Sequence, residues 1–187
     1  MRAAVFSVPN QPMTVEDLAM PEPHDHEVRV KVAACGVCHT DIGFWRDGVA
    51  TRHELPITLG HEIAGTVVEA GSDARDFLGR EVIVPSVIPC GACDLCLDGR
   101  GNACRSQMMP GNDMDGGFAD YIVVPSRGLC VVEERGILDL AELSVVADAV
   151  TTPYQAVVRS GLASGDVAVV VGAGGVGRSE EHTSELQ

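Results

Sequence analysis

Residues 28–41 read Val28-Arg29-Val30-Lys31-Val32-Ala33-Ala34-Cys35-Gly36-Val37-Cys38-His39-Thr40-Asp41. The first five alternate apolar and charged with period two, the pattern of a strand with one buried face. The last seven bring two thiols, an imidazole, a hydroxyl and a carboxylate together in a short stretch. Working outward, Ile63–Val68, Glu81–Val84, Tyr121–Val124 and Leu129–Val132 are further short Val-rich runs separated by Gly, Pro and Asp. Short strands at this spacing predict a barrel or sandwich. The core must rest on Val, Ala, Leu and Ile, because aromatics make up only 4% of the chain.

The character changes after about residue 139. Leu140–Val146 is helix-like. Thr152-Pro153 then reads as a helix N-cap followed by Pro at the first helical position, with the helix stopping near Gly161. Asp166–Val171 is apolar without alternation, which fits a parallel strand buried on both faces. It leads into Gly172-Ala173-Gly174-Gly175-Val176-Gly177, the spacing of a dinucleotide-binding turn. The composition shifts again at Arg178–Gln187. Reverse-translated, this segment resembles a sequencing-library adapter read in frame, so residues 178–187 are expected to be a non-native tail outside the fold. The helix and acidic residue that should follow a dinucleotide turn are missing before it. The sequence therefore does not choose between NAD and NADP.

The chain has 187 residues and a formal net charge of −14. That balance argues against nucleic-acid binding and against docking on anionic lipid. No apolar run is long enough to span a bilayer and the first residues lack a secretory signal, so a cytoplasmic protein is expected. In that setting seven Cys are metal ligands or core residues sooner than disulfides.

The strongest single motif is Cys90-x-x-Cys93-x-x-Cys96-x7-Cys104. Four thiolates in one short loop can close a tetrahedral shell around zinc, with no position left for substrate. Gly91, Gly99 and Gly101 let the loop fold back on itself. The spacing predicts a structural zinc; four ordinary cysteines or a labile iron–sulfur cluster are the alternatives. A second constellation joins Cys35 to Gly60-His61-Glu62. One thiol and one imidazole make half a zinc site, which needs a third ligand and an open position for catalysis.

Cys35–Asp41, Gly60-His61-Glu62, the four-cysteine loop and Gly172–Gly177 occur in one order along residues 1–177. Together they resemble the zinc-dependent medium-chain alcohol dehydrogenases. The resemblance implies a mostly β GroES-like catalytic domain with short helices over 1–147. The first helix and strand of a truncated Rossmann domain would then occupy 148–177. It implies two zinc ions and a nicotinamide cofactor. Cys35 and His61 match the first two catalytic zinc ligands. Asp148 stands where many members carry a Cys ligand, which gives a harder ligand set, and Glu62 matches an acidic neighbour of the metal or alternate ligand. Asp41 matches the carboxylate that orients the His ligand. Thr40 matches the hydroxyl that meets the substrate alcohol, and His39 a following relay member or a contact to cofactor phosphates. Trp45 matches a substrate-pocket position in some members, and a core aromatic reads as well. Gly172, Gly174 and Gly177 match the cofactor-binding glycines.

Cys38 and Cys130 match no ligand role and read as small buried residues; His24, His26 and His53 read as surface residues. Several segments, among them Met109–Asn112 and Val146–Tyr154, resemble a narrower group, the 6-hydroxycyclohex-1-ene-1-carbonyl-CoA dehydrogenases. The substrate implied is then a hydroxyacyl-CoA, with a small primary or secondary alcohol as the alternative. The full-length protein is expected to be a homo-oligomer. The isolated chain, lacking most of a Rossmann domain, is expected to bind zinc without turning over substrate.

Overall fold

The computed structural model describes residues 1–172 and 174–177. The expected foreign tail, 178–187, lies outside the described residues. Eight strands carry the fold: β1 (Arg2–Phe6), β2 (Thr14–Asp17), β3 (Glu27–Gly36), β4 (Ile57–Thr58), β5 (Glu62–Ala70), β6 (Glu81–Val84), β7 (Tyr121–Pro125) and β8 (Cys130–Val131). The helices are α1 (His39–Arg46), α2 (Asp94–Leu97) and α3 (Thr151–Ser160), with a 3-10 segment at Glu142–Ala147. This is the mostly β domain with few short helices that the sequence predicts.

The strands form an antiparallel five-stranded sheet in the order β7-β3-β5-β6-β8 and a three-stranded sheet in the order β2-β1-β4. The sheets are stitched where β7 begins: Ala4 donates its N–H to Phe118 O and Asp120 its N–H to Arg2 O. Val28, Val30, Ile63, Val67, Val82, Val84, Ile122 and Val124 form the main core. A second cluster, Phe6, Phe44, Ile57 and Leu59, fixes α1 against the small sheet. A third, Ala64, Ile83, Leu140 and Ala147, seats the 3-10 segment on β5 and β6. That seat brings residue 148 over the start of β5.

Three expectations for the C-terminal part are corrected. Leu140–Val146 is a tight 3-10 segment over Glu142–Ala147, not an α-helix. α3 begins at Thr151 behind an N-cap at Val150, so Thr152 is not the cap; it does end at Gly161, left-handed at φ 72°. Asp166–Val171 joins no sheet among the described residues. A parallel strand needs a ladder partner and cover on both faces, and without them Val167 and Val171 stand 89% and 95% exposed. Among the described residues no helix is long and apolar enough to cross a membrane.

Candidate metal centres

Among the described residues two groups of side chains able to ligate a metal converge. The first comprises Cys38, His61 and Asp148, whose ligand atoms all lie within 4.8 Å of one another. Cys38 occupies the N-cap of α1. His61 precedes β5 and is 1% exposed, and Asp148 ends the 3-10 segment. Asp148 Oδ2 stands 3.4 Å from His61 Nε2, and Cys38 Sγ lies 3.5 Å from the same oxygen.

The thiol in this group is Cys38, not the expected Cys35. The register of β3 against β5 shifts between Val32 and Ala34, and such a bulge changes which side chains face the core. Cys35 turns inward and packs with Val32 against the main core. Its sulfur faces Gly60 and Gly117, where an added Cβ would come within 2.7 Å and 2.9 Å. Burial pushes this thiol up to about 12. Cys38, read from sequence as a plain buried residue, takes its place. The missed signal was its position at a helix start with Asp41 three residues on, the capping-box spacing. Cys130, also expected to be buried, is exposed. His24, His26 and His53 are exposed as expected.

Asp41 organises the group from behind. It is 2% exposed. Its Oδ2 accepts the Cys38 N–H at 2.9 Å, and its Oδ1 accepts the Gly60 N–H at 3.1 Å. The same Oδ1 lies 3.4 Å from His61 Nδ1. Among the described residues neither ring nitrogen of His61 finds a hydrogen-bond partner, although both are buried. A buried imidazole with two free nitrogens is costly, and a cation on the Cys38–Asp148 side would satisfy Nε2 while Asp41 takes Nδ1–H. The donor set fits a metal ion. Burial alone would lower the basicity of His61, but Asp148 and Asp41 outweigh it and hold the ring up to about 11. Asp148 is held down to about 2, chiefly by His61. Glu62, 3% exposed, has its carboxyl raised by burial and by the charge of Asp148. Its Oε1 accepts the Ala149 N–H at 3.2 Å, tying β5 to the residue after Asp148.

The other expected site residues are placed unevenly. Thr40 is exposed, with Oγ1 3.6 Å from Cys38 Sγ, so its hydroxyl borders the group. His39 is exposed at the first position of α1. Trp45 packs on the Phe6–Phe44 cluster and donates its indole N–H to Gln11 O at 2.6 Å, the core-aromatic alternative. Gly172 has φ 100°, and a Cβ on Gly177 would come within 2.0 Å of Gly172 O. That close backbone approach needs glycine; among the described residues nothing crowds Gly174.

The second group is Cys90, Cys93, Cys96 and Cys104. Sulfurs about 2.3 Å from a tetrahedral zinc ion lie about 3.8 Å apart. Here the separations are 3.9 Å for Cys90–Cys96, 3.5 Å for Cys93–Cys96 and 3.8 Å for Cys93–Cys104. Backbone N–H groups of Ala92 and Cys93 point at Cys90 Sγ, and those of Cys90 and Ser106 at Cys104 Sγ. The Ala92 and Cys93 amides hold Cys90 down to about 6, the backbone of Cys96 lowers Cys93, and burial pushes Cys96 up to about 12. Gly91 and Gly99 turn the loop at φ 76° and 75°, and Gly101 packs against Pro89. The spacing and the sulfur-directed amides fit a closed four-sulfur zinc shell.

A β-rich domain with a four-cysteine loop and a Cys/His/Asp group around a buried His defines a class of zinc-type dehydrogenase. Comparison with known proteins agrees. The family model "Alcohol dehydrogenase GroES-like domain" matches residues 24–134. The chain belongs to the zinc-type medium-chain alcohol dehydrogenase family. It is 37% identical over 158 residues to a D-arabinose 1-dehydrogenase (NADP(+)) of Saccharolobus solfataricus, covering 83% of this chain and 44% of that protein. It is 32% identical over 179 residues to an alcohol dehydrogenase of Geobacillus stearothermophilus, covering 95% of this chain and 52% of the relative. The solved structure of a cobalt- and zinc-bound thermostable alcohol dehydrogenase from Pyrobaculum aerophilum superposes with a TM-score of 0.91. Its identity is 30%, covering 100% of this chain and 56% of that one. The chain spans about half the length of the curated relatives it matches.

Proposed function

We propose that this chain is the catalytic, zinc-binding part of a dehydrogenase that oxidises a small alcohol or polyol with a nicotinamide cofactor. The observation that carries this reading is the convergence of Cys38, His61 and Asp148, with Asp41 behind the imidazole. These three residues would hold the catalytic zinc, with Glu62 beside them. Zinc there would supply Lewis-acid polarisation of the alcohol oxygen. The chain's own residues do the rest. Asp41 fixes the His61 ring and the start of α1. Thr40, at the exposed rim beside Cys38, is placed to accept the proton of an alcohol and pass it outward, with His39 next to it at the surface. Cys90, Cys93, Cys96 and Cys104 would hold a second, structural zinc.

We assign residues 1–147 to the catalytic domain and 148–177 to the opening of a dinucleotide-binding domain. The approach of Gly177 to Gly172 supports that assignment. The NADP(+) in the name of the Saccharolobus relative supports a nicotinamide partner, with NAD and NADP both open. A cytoplasmic setting suits seven free thiols. The narrower substrate reading is a 6-hydroxycyclohex-1-ene-1-carbonyl-CoA, favoured by Asp148 in the ligand group, but the sugar and alcohol names of the relatives support the broader class at least as well.

The test is metal analysis of the purified chain, followed by turnover assays on the longer protein. Two zinc per chain are expected, falling to one in Cys38→Ser. One zinc in both proteins would sink the catalytic-site reading and leave a zinc-stabilised binding module. NAD(P)⁺ reduction by the longer protein with polyols, simple alcohols and the hydroxyacyl-CoA then separates the substrates.

A further inference from the structure

α3 does more than begin after the ligand segment. The Thr152 hydroxyl donates to Asp148 Oδ1, and the Thr152 N–H donates to Asp148 O at 2.9 Å. One residue therefore grips both the side chain and the backbone of Asp148. The other carboxylate oxygen, Oδ2, faces His61 Nε2 at 3.4 Å and Cys38 Sγ at 3.5 Å. A carboxylate is planar, so anchoring one oxygen fixes the direction of the other. Without the hydroxyl, Oδ1 loses this hydrogen bond on a side chain that is only partly enclosed at 21% exposure. A thiolate at this position would have a single ligand atom and no second oxygen to hold. The need for a hydroxyl donor therefore comes with the carboxylate.

We infer that Thr152 is the positioning residue of the Asp148 ligand, turning Oδ2 into the Cys38–His61 group by holding Oδ1 on the first turn of α3. The inference rests on the reading of that group as a metal site. Hydrogen-bonded partners of metal ligands change affinity by about 10–100-fold when removed. Thr152 is exposed, so the lower end applies.

The test is a Co²⁺ titration of the metal-free chain followed by visible absorption. Cobalt on four thiolates and cobalt on one thiolate, one imidazole and one carboxylate absorb differently, so the two sites are read apart. Thr152→Val should weaken binding at the Cys38 site about tenfold and leave the four-sulfur site unchanged, and Thr152→Ser should restore it. With Asp148→Cys in place, Thr152→Val should have no further effect, because no carboxylate remains to orient. Wild-type affinity in Thr152→Val, or a tenfold loss that persists beside Asp148→Cys, overturns the inference alone. A wild-type chain that takes cobalt only at the four-sulfur site overturns both the inference and the reading beneath it.

Discussion

Asp41 Oδ1 lies 3.4 Å from His61 Nδ1 while accepting the backbone N–H of Gly60. One buried carboxylate thus sets the imidazole, the strand entry that carries it and, through its second oxygen, the helix start that carries Cys38. Replacing Asp41 with Ala would strand two backbone donors. We expect a loss of about 2–4 kcal/mol in urea unfolding of the metal-free chain, and a weaker Cys38 site in the same protein.

Cys35 and Cys38 should separate cleanly. Cys35→Ala should keep two zinc per chain, with a stability loss near ~1 kcal/mol for trimming a small buried side chain. Cys38→Ala should lose one zinc. Elemental analysis of the two variants side by side decides the point; the reverse outcome would restore Cys35 as the ligand.

The metal-free chain should be most stable in mildly acidic solution. His61 is raised to about 11, so its contribution is complete below its unfolded value near ~6.5 and is lost as pH rises through the folded one. Asp148 is lowered to about 2, so its contribution is complete above its unfolded value near ~3.9 and is lost as pH falls towards 2. The pair contributes fully between about pH 4 and 6.5. Metal binding runs the other way, since it needs neutral His61 and a Cys38 thiolate. Urea midpoints across pH without metal, and cobalt affinity across the same range, should therefore show opposite slopes above about pH 6.5. Parallel slopes would count against the His61–Asp148 contact.

The four-cysteine loop has little apolar packing of its own. Its α2 has four residues, none of them buried. Order there should depend on the sulfur cluster. Cys104→Ser or a chelator should raise the rate of tryptic cleavage after Arg100 and Arg105 more than tenfold, with the β-sheet signal in circular dichroism preserved. Unchanged cleavage would mean the loop holds itself without metal.

Gly36→Ala offers a further check. A Cβ there would meet Glu62 Oε2 at 2.0 Å, forcing Glu62 away from the Ala149 N–H. The expected result is about a tenfold weaker Cys38 site with an intact four-sulfur site, read by cobalt absorption.

Much of this was legible in the chain, for reasons that differ by element. β6 spans Glu81–Val84 as its apolar run suggests, because strand bounds and side-chain pattern coincide there. The four cysteines were legible because their spacing alone brings them together. His61, Asp41 and Asp148 were reached through motif order. Cys35 was matched to the ligand position by motif, in a stretch that holds two thiols three residues apart, and Cys38 at the start of α1 is the one that converges with His61 and Asp148. β2 escaped notice because all four of its residues are exposed and carry no core pattern. The Thr152 grip on Asp148 was hidden because Thr-Pro reads as a helix cap, while the cap of α3 is Val150, two residues earlier. Val167–Val171 read as a strand on hydrophobicity, which says what a segment would bury and not whether partners exist.

The two metal groups also differ in how much chain they span. The four sulfurs sit within one loop, 14 residues apart at most, whereas Cys38 and Asp148 are separated by 110. At a translation rate of about 5–20 residues per second, the loop is complete within about 1–3 s, and the distant pair only after roughly 5–20 s. A ribosome-bound chain can therefore fill its first metal site while the second still lacks a ligand. If both groups hold a metal, the spacing of the residues sets the order of its uptake during synthesis.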